Sequence, residues 1–273
     1  MFLWLTFARK LVQLQAGVTR LPISVCMICG AEAHRVGKAL ASVADWTSEI
    51  VVVLNQEVAD GTEEEAAAFG ARVYREPWRG HVAQKNSAAD KASQAWLLGL
   101  DADEVVSEAL RREIVELFAP TPAGGAYSFP RRSFYLGRWI GHGEWYPDRR
   151  ARLWARGRAR WGGVDPHDEL LVEGAVVKLR HDLLHYTAET LEEQVAKTVR
   201  YAEDFARHCT QTGRKVRSSD LMFRPVWRFV RGYILKRGFL DGWQGYSIAC
   251  MTAFYTFLRY AKAREAQLAL KTS

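Results

Sequence analysis

Cysteine is scarce in this 273-residue chain: four residues, too few for a disulfide framework at this length. Cys26 and Cys29 form a C-x-x-C, but the apolar run Ile23–Ile28 reads as a strand, where residues three apart face opposite sides. With no second cysteine pair, neither a zinc site nor a redox site is expected, and the thiols read as buried in a reducing compartment. Long hydrophobic runs are also missing. The nearest, Gly242 to Leu258, is uncharged but diluted by Gln244, Ser247, Thr252, Thr256 and two glycines, which is too polar for a membrane span. Met1 to Leu14 is apolar, yet Arg9 and Lys10 follow the apolar stretch, whereas a signal peptide puts its charges first. A short amphipathic segment over residues 1–20 is expected instead. There is no internal repeat and no low-complexity tract. Acidic residues are in deficit: 38 Lys and Arg against 31 Asp and Glu leave a net charge of +7. That balance suits nucleic acid, an anionic membrane or a phosphorylated substrate.

What is there begins with Leu98-Gly99-Leu100-Asp101-Ala102-Asp103-Glu104. An apolar segment ends abruptly in two carboxylates spaced i, i+2, with a third beside them. Open α/β sheets bind ligands at the carboxyl ends of their strands. Hard divalent cations take carboxylate oxygens and fill their other positions with water and phosphate oxygens. The run therefore suggests a metal–diphosphate site. Its plainer reading is an acidic turn, with Asp103 capping a helix over Ser107–Phe118 and Glu104 at that helix's positive end.

Along the chain, strand-like and helical segments alternate. Ile23–Ile28, Glu49–Leu54, Arg72–Tyr74 and Trp96–Leu100 read as strands. Ala33–Val43, Glu63–Phe69 and Ala83–Gln94 read as helices. This alternation predicts a parallel sheet covered on both faces. From residue 120 the pattern loosens, with strands expected at Tyr127–Phe129, Ser133–Leu136, Ala151–Trp154 and Leu170–Leu179. Helices are expected over Glu189–Cys209, Leu221–Lys236 and Gly242–Ala269. A boundary just after Tyr186 divides residues 21–186 from a helical region, 187–273.

The order and spacing of several motifs resemble family 2 glycosyltransferases of the GT-A fold. These motifs are Glu49–Val53, Arg75-Glu76-Pro77-Trp78-Arg79-Gly80, Gln84-Lys85-Asn86 and Leu100–Glu104. They continue with Phe134–Ile140, Gly143–Asp148, His167-Asp168, His185-Tyr186-Thr187 and Lys236–Gly242. The resemblance covers residues 22–186, and toward the lipopolysaccharide-core β-glucosyltransferase group it extends over nearly the whole chain. It implies an α/β, Rossmann-like nucleotide-diphosphosugar transferase domain with a C-terminal helical extension. It further implies inverting transfer of a hexose, glucose first, from a UDP-sugar to a lipid-linked glycan such as the lipopolysaccharide core, with Mg²⁺ or Mn²⁺ as cofactor. Asp103 would hold the cation, and Asp101 would lie nearer the sugar or ribose hydroxyls. Lys85 and Asn86 would serve the nucleotide or sugar, although Lys85 could equally be a solvated helix lysine.

The chain departs from the family at two places. The Asp usual after the second strand is replaced by Leu54 and Asn55, and the Asn55 amide can both donate to and accept from a uracil-type edge. The first-strand loop lacks Lys-Asn-Glu and reads Cys29-Gly30-Ala31-Glu32, so Glu32 is the matching carboxylate. Its alternative role is helix N-terminal charge. Inversion needs a general base on the acceptor side. Asp168 matches the family position, and Asp165 and Glu169 are near enough to compete. His185 matches a family histidine that could complete the metal shell, or it could be a satisfied histidine at a junction. Imidazole suits Mn²⁺ better than Mg²⁺. His181 and His185 alone make no zinc site.

Arg131, Arg132, Arg138, Arg149, Arg150 and Arg152 crowd the acceptor half. With Trp139, Trp145, Tyr146 and Trp154 they could line an aromatic, basic groove for the acceptor glycan. The same composition could bind single-stranded nucleic acid, the alternative from a different class. A degenerate GT-A domain that binds sugar without turnover is a further alternative. In the last third, Arg224, Arg228, Arg231, Lys236 and Arg237 alternate with Phe223, Trp227, Phe229 and Tyr233. That pattern fits helices lying on an anionic membrane, and hence a cytoplasmic protein peripheral on the inner face of the cell membrane. It fits ordinary helical packing as well.

Overall fold

The computed structural model describes residues 20–119, 121–164, 167–188 and 190–272, so the expected N-terminal segment lies almost wholly outside the described residues. Two compact units are present. One runs to Arg131 and resumes over Arg149–His185, and the other takes Arg132–Asp148 and Tyr186 onward.

In the first unit, β1 (Leu21–Cys29), β2 (Thr47–Asn55), β3 (Arg72–Glu76) and β4 (Trp96–Gly99) alternate with α1 (Val36–Ala41), α2 (Thr62–Ala68) and α3 (His81–Lys91). They pair in the order β3-β2-β1-β4, all parallel, with Cys26 opposite Val51 and Val25 opposite Leu98. Burial explains why these segments are strands. Along β1 and β2, Ile23, Val25, Met27, Ile50, Val52 and Leu54 pack into one core cluster, while Cys26, Val51 and Val53 pack into the cluster on the other face. A strand buried on both faces reads as a continuous β-branched run, and each fully buried Val or Ile contributes about 1.5–3 kcal/mol. Cys29 joins the first cluster and Cys26 the second, so the C-x-x-C faces both ways and both thiols are free. Burial raises both thiol pKa values well above the usual range.

The expected all-parallel sheet holds only to β4. Beyond it the sheet continues through β8 (Asp148–Ala155), β6 (Ala126–Tyr135), β12 (Leu183–Ala188) and β5 (Glu104–Val106), and β8 runs antiparallel to β4. Tyr127–Phe129 and Ser133–Leu136 merge into one strand, β6 (Ala126–Tyr135). Leu170–Leu179 breaks at Gly174, which has a positive φ, into β10 (His167–Val172) and β11 (Val176–Lys178). The sequence reading missed β5 (Glu104–Val106), β9 (Ala159–Val164), β12 (Leu183–Ala188) and the short β7 (Arg138–Trp139). The reading of Asp103 as a helix cap is corrected. Ser107 caps α4 (Glu108–Leu117), its hydroxyl accepting from the Leu110 N–H at 3.1 Å, because β5 intervenes.

The second unit is mostly helical: α5 (Leu191–Gln211), α6 (Ser218–Val230), a π-turn over Arg231–Leu235, a 3₁₀ turn over Gly238–Asp241 and α7 (Gly242–Thr272). Thr190 caps α5 through the Glu193 N–H. Asp241 is buried and accepts from the backbone N–H groups of Gly141 and His142, tying the β7 loop to the 3₁₀ turn. Among the described residues, no helix is long and apolar enough to cross a membrane.

Candidate active site

Strand β4 stops at Gly99 while the Leu100 N–H still reaches the Cys26 carbonyl at 3.1 Å. The chain then turns through Asp101-Ala102-Asp103 into β5, with the Glu104 N–H donating to the Asp101 carbonyl at 2.9 Å. In the order β3-β2-β1-β4, the chain steps from β1 out to β2 and β3 on one side and then crosses back to β4 on the other. The carboxyl ends of β1 and β4 therefore flank the crevice where such sheets bind ligands.

Six charged side chains converge there. Lys85 Nζ on α3 lies 3.0 Å from Asp101 Oδ1 and 2.8 Å from Asp168 Oδ2 on β10. Arg152 on β8 lies 2.5 Å from the other Asp101 oxygen and 3.0 Å from Glu104 Oε1. Arg131 reaches Glu104 at 3.3 Å, and Glu104 Oε2 accepts from the Asp101 N–H at 3.1 Å. Three acids thus face three bases, and the charges balance. Buried ions persist only when paired and hydrogen-bonded in this way. Burial opposes ionisation of Asp101, but Arg152 and Lys85 outweigh it and hold the carboxyl well below the usual carboxylate range. The same carboxylates drive the Arg152 pKa upward against burial. Trp161 on β9 lies beneath both cations, its ring centroid 4.7 Å from Lys85 Nζ and 5.4 Å from the Arg152 guanidinium carbon.

Asp103 points elsewhere. Its Oδ2 lies 3.3 Å from His185 Nε2, because His185 on β12 sits opposite Glu104 in the antiparallel pairing with β5. Burial opposes ionisation of Asp103, and its hydrogen bond to His185 leads the effects that bring its pKa down. Among the described residues, no group of three or more His, Cys, Asp or Glu side chains converges as a metal cage. The Asp103–His185 pair offers one carboxylate and one imidazole, which fits a divalent ion that keeps water and phosphate oxygens as its remaining ligands.

The other candidates separate. Asn86 gives both amide atoms to the Trp161 backbone, at 2.9 and 3.0 Å, so it ties α3 to β9 instead of facing a ligand. Asn55 ends β2, its side-chain oxygen Oδ1 accepting weakly from the Glu57 N–H at 3.4 Å. Glu32 pairs with Arg35, and its N–H donates to Thr62. On β10, Asp168 turns toward Lys85 while Glu169 is exposed, and Asp165 lies outside the described residues. His181 is held by Glu113 at 2.9 Å.

In the second unit, Trp139 packs on Phe134 and Tyr186, and Trp145 packs edge-on against Tyr135. Arg138 donates to the Leu240 carbonyl, and Tyr146 precedes a cis proline. Trp154, expected in the acceptor groove, is instead a core residue packed on Trp161. Arg152, expected there too, is at the centre of the charged network. The sequence reading missed Trp161 and the structural role of Glu104. The available signal for Arg152 was its place inside the apolar strand Ala151-Arg152-Leu153-Trp154. Gln84, one residue before Lys85, is buried with both amide atoms unpartnered among the described residues.

Residues 24–169 match the family model described as glycosyl transferase family 2. The chain is 31% identical over 252 residues to the lipopolysaccharide core biosynthesis glycosyltransferase LpsC of Rhizobium meliloti, covering 90% of this chain and 93% of that one. It is 28% identical over 260 residues to an uncharacterized glycosyltransferase of Rickettsia felis, covering 91% and 92%. Among solved structures it resembles the mannosyltransferase PcManGT of Pyrobaculum calidifontis, whose structure is a complex with GDP-Man and Mn²⁺. The TM-score is 0.52 at 13% identity, over 96% of this chain and 94% of that one. With its strand-end carboxylates set on that sheet, the chain belongs to glycosyl transferase family 2 and has the GT-A fold.

Proposed function

We propose that this chain is an inverting hexosyltransferase. It moves a hexose, glucose first, from a UDP-sugar to a lipid-linked glycan of the lipopolysaccharide-core kind, at the inner face of the cell membrane. The likeness to LpsC supports the acceptor class. The observation that carries the reaction is Lys85, which joins Asp101 at the end of β4 to Asp168 on β10. It brings the candidate general base to the strand end where the donor's diphosphate belongs.

In this reading Asp168 accepts the proton of the acceptor hydroxyl as its oxygen bonds to the anomeric carbon. The bond from that carbon to the diphosphate oxygen breaks on the opposite face, which inverts the configuration. Lys85 orients Asp168 through their ion pair. Arg152, Arg131 and Glu104 fix Asp101, and the Trp161 ring fixes Lys85 and Arg152 from below. Asn86 acts as a positioning residue through β9. Asp103 and His185 would hold the divalent cation, which when bound would neutralise charge on the diphosphate. Glu32 and Asn55 remain candidates for the nucleotide, and Arg138, Trp139, Trp145 and Tyr146 for the acceptor.

The test is a matrix of UDP- and GDP-hexoses, with and without Mn²⁺, read first by thermal shift and then by transfer to a lipopolysaccharide-core acceptor. Ligand binding raises stability by mass action. The proposal expects a UDP-hexose to give the largest shift and a product of inverted anomeric configuration by NMR. A retained configuration, or transfer undiminished by Asp168→Asn, would overturn it.

A further inference from the structure

Helix α6 is 13 residues long and buries none of them. Met222, Phe223, Val226 and Trp227, at spacings of one, four and five, share one side of it, with Phe223 69% and Trp227 56% exposed. Leu235 in the following π-turn and Trp243 at the start of α7 are exposed as well. An exposed apolar side of this kind marks an interaction surface.

Its charge surroundings select the occupant. Residues 214–262 carry ten Lys and Arg against two Asp and Glu, an excess larger than that of the whole chain. Arg228, Arg231 and Lys236 converge on Glu144 within 3.7 Å, and Arg224 pairs with Asp220, so these side chains brace the unit. The sequence left lipid contact and ordinary helical packing open for these residues, and the ion pairs account for four of the five. Lys215, Arg217 and Arg237 stay exposed around them. A second copy of the chain would bring the same positive segment against itself. Residues 1–19 contain Arg9 and Lys10 and no acid, so they repel it too. Single-stranded nucleic acid stacks on aromatic rings and has no use for exposed Met222, Val226 and Leu235. Anionic lipid satisfies both the charge and the apolar side chains.

We infer that α6 is a membrane-docking helix that lies in the headgroup plane of an anionic bilayer with Phe223 and Trp227 inserted. At 13 residues it is too short to span. The inference deepens the function proposed above by naming the surface that meets the lipid carrying the acceptor, and rests on that reading only for the acceptor's identity.

The experiment is flotation of the full chain with phosphatidylcholine vesicles, with and without phosphatidylglycerol, at low and high salt. UDP-hexose hydrolysis is measured on the same samples. Wild type should float with anionic vesicles only, less at high salt, and Phe223→Ser with Trp227→Ser should weaken partition about tenfold or more. Met222→Ser with Leu235→Ser repeats the test on other side chains. Hydrolysis should be unchanged in both variants. Equal flotation of both variants and wild type would overturn the proposal. So would equal binding to neutral vesicles, loss of binding only on removing residues 1–19, or a doubled mass without lipid that the serine variants abolish. Absence of hydrolysis in a wild type that still floats would sink the catalytic reading and leave the docking helix standing.

Discussion

Replacing Lys85 by methionine tests the centre of the site. The side chain keeps its length and loses its charge. Asp101 retains Arg152 at 2.5 Å, but Asp168, whose side chain is 13% exposed, loses the ammonium 2.8 Å away. Removing one partner of a buried ion pair costs about 3–5 kcal/mol, because the other charge is left desolvated. For a protein of this size each 1 kcal/mol shifts Tm by about 2–4 °C. Lys85→Met should therefore lower Tm by about 6–20 °C in scanning calorimetry at neutral pH. The cause is separable from lost packing by adding Asp168→Asn, which removes the stranded charge. The double variant should be more stable than Lys85→Met alone, with a coupling energy of about 0.5–3 kcal/mol. Additivity within about 0.5 kcal/mol would mean that Lys85 and Asp168 do not interact in solution. The geometry proposed for the base would then be wrong.

Asp168→Asn alone should leave donor binding intact by thermal shift while lowering kcat about 10²–10⁴-fold, the usual range for a general base; the same loss from Glu169→Gln would reassign it. Asp103→Ala should abolish the thermal shift produced by UDP with Mn²⁺ and leave the circular dichroism unchanged, since no core volume is removed. A Cβ at Gly99 would stand 2.9 Å from the Trp161 ring, so Gly99→Ala should cost about 1–3 kcal/mol by denaturant unfolding and reduce transfer by disturbing the support under Lys85 and Arg152. Asp101 is held below its unfolded pKa of about 3.9, so its contribution is present above that value and is lost as pH falls through the folded one. Calorimetry below pH 4 should show a steep fall in Tm that is shallower in Asp101→Asn.

Strands β1, β2 and β4 were legible because each is buried through most of its length and announces itself as an apolar run, whereas β3, Arg72-Val73-Tyr74-Arg75-Glu76, was read from its β-prone Val and Tyr alone. Glu49–Leu54 and Trp96–Leu100 are found within two residues of β2 and β4. Strand β9 was not legible. Ala159-Arg160-Trp161-Gly162-Gly163-Val164 has no alternation, and two glycines argue against a strand. Its pairing with β10 and the packing of Leu171 against Gly162, where a Cβ would stand 2.5 Å away, hold it extended. Strands β5 and β12 stabilise one another although Val106 and its partner Leu183 are 77 positions apart, a pairing that no local window contains.

The same distinction governs the site. Asp101 and Asp103 stand out because carboxylates close an apolar run, a local signal. That they do different work is not local. At spacing i, i+2 the two side chains find separate partners, Lys85 and Arg152 for one and His185 for the other. Lys85 and Asn86, adjacent in sequence, diverge by a helical rotation of about 100°, so one reaches the carboxylates and the other grips β9. Three acids balance three bases around Asp101, so the network has no surplus positive charge to offer an incoming diphosphate. The Asp103–His185 pair lies outside that balance, which is the electrostatic reason to expect the cation there and not on Asp101.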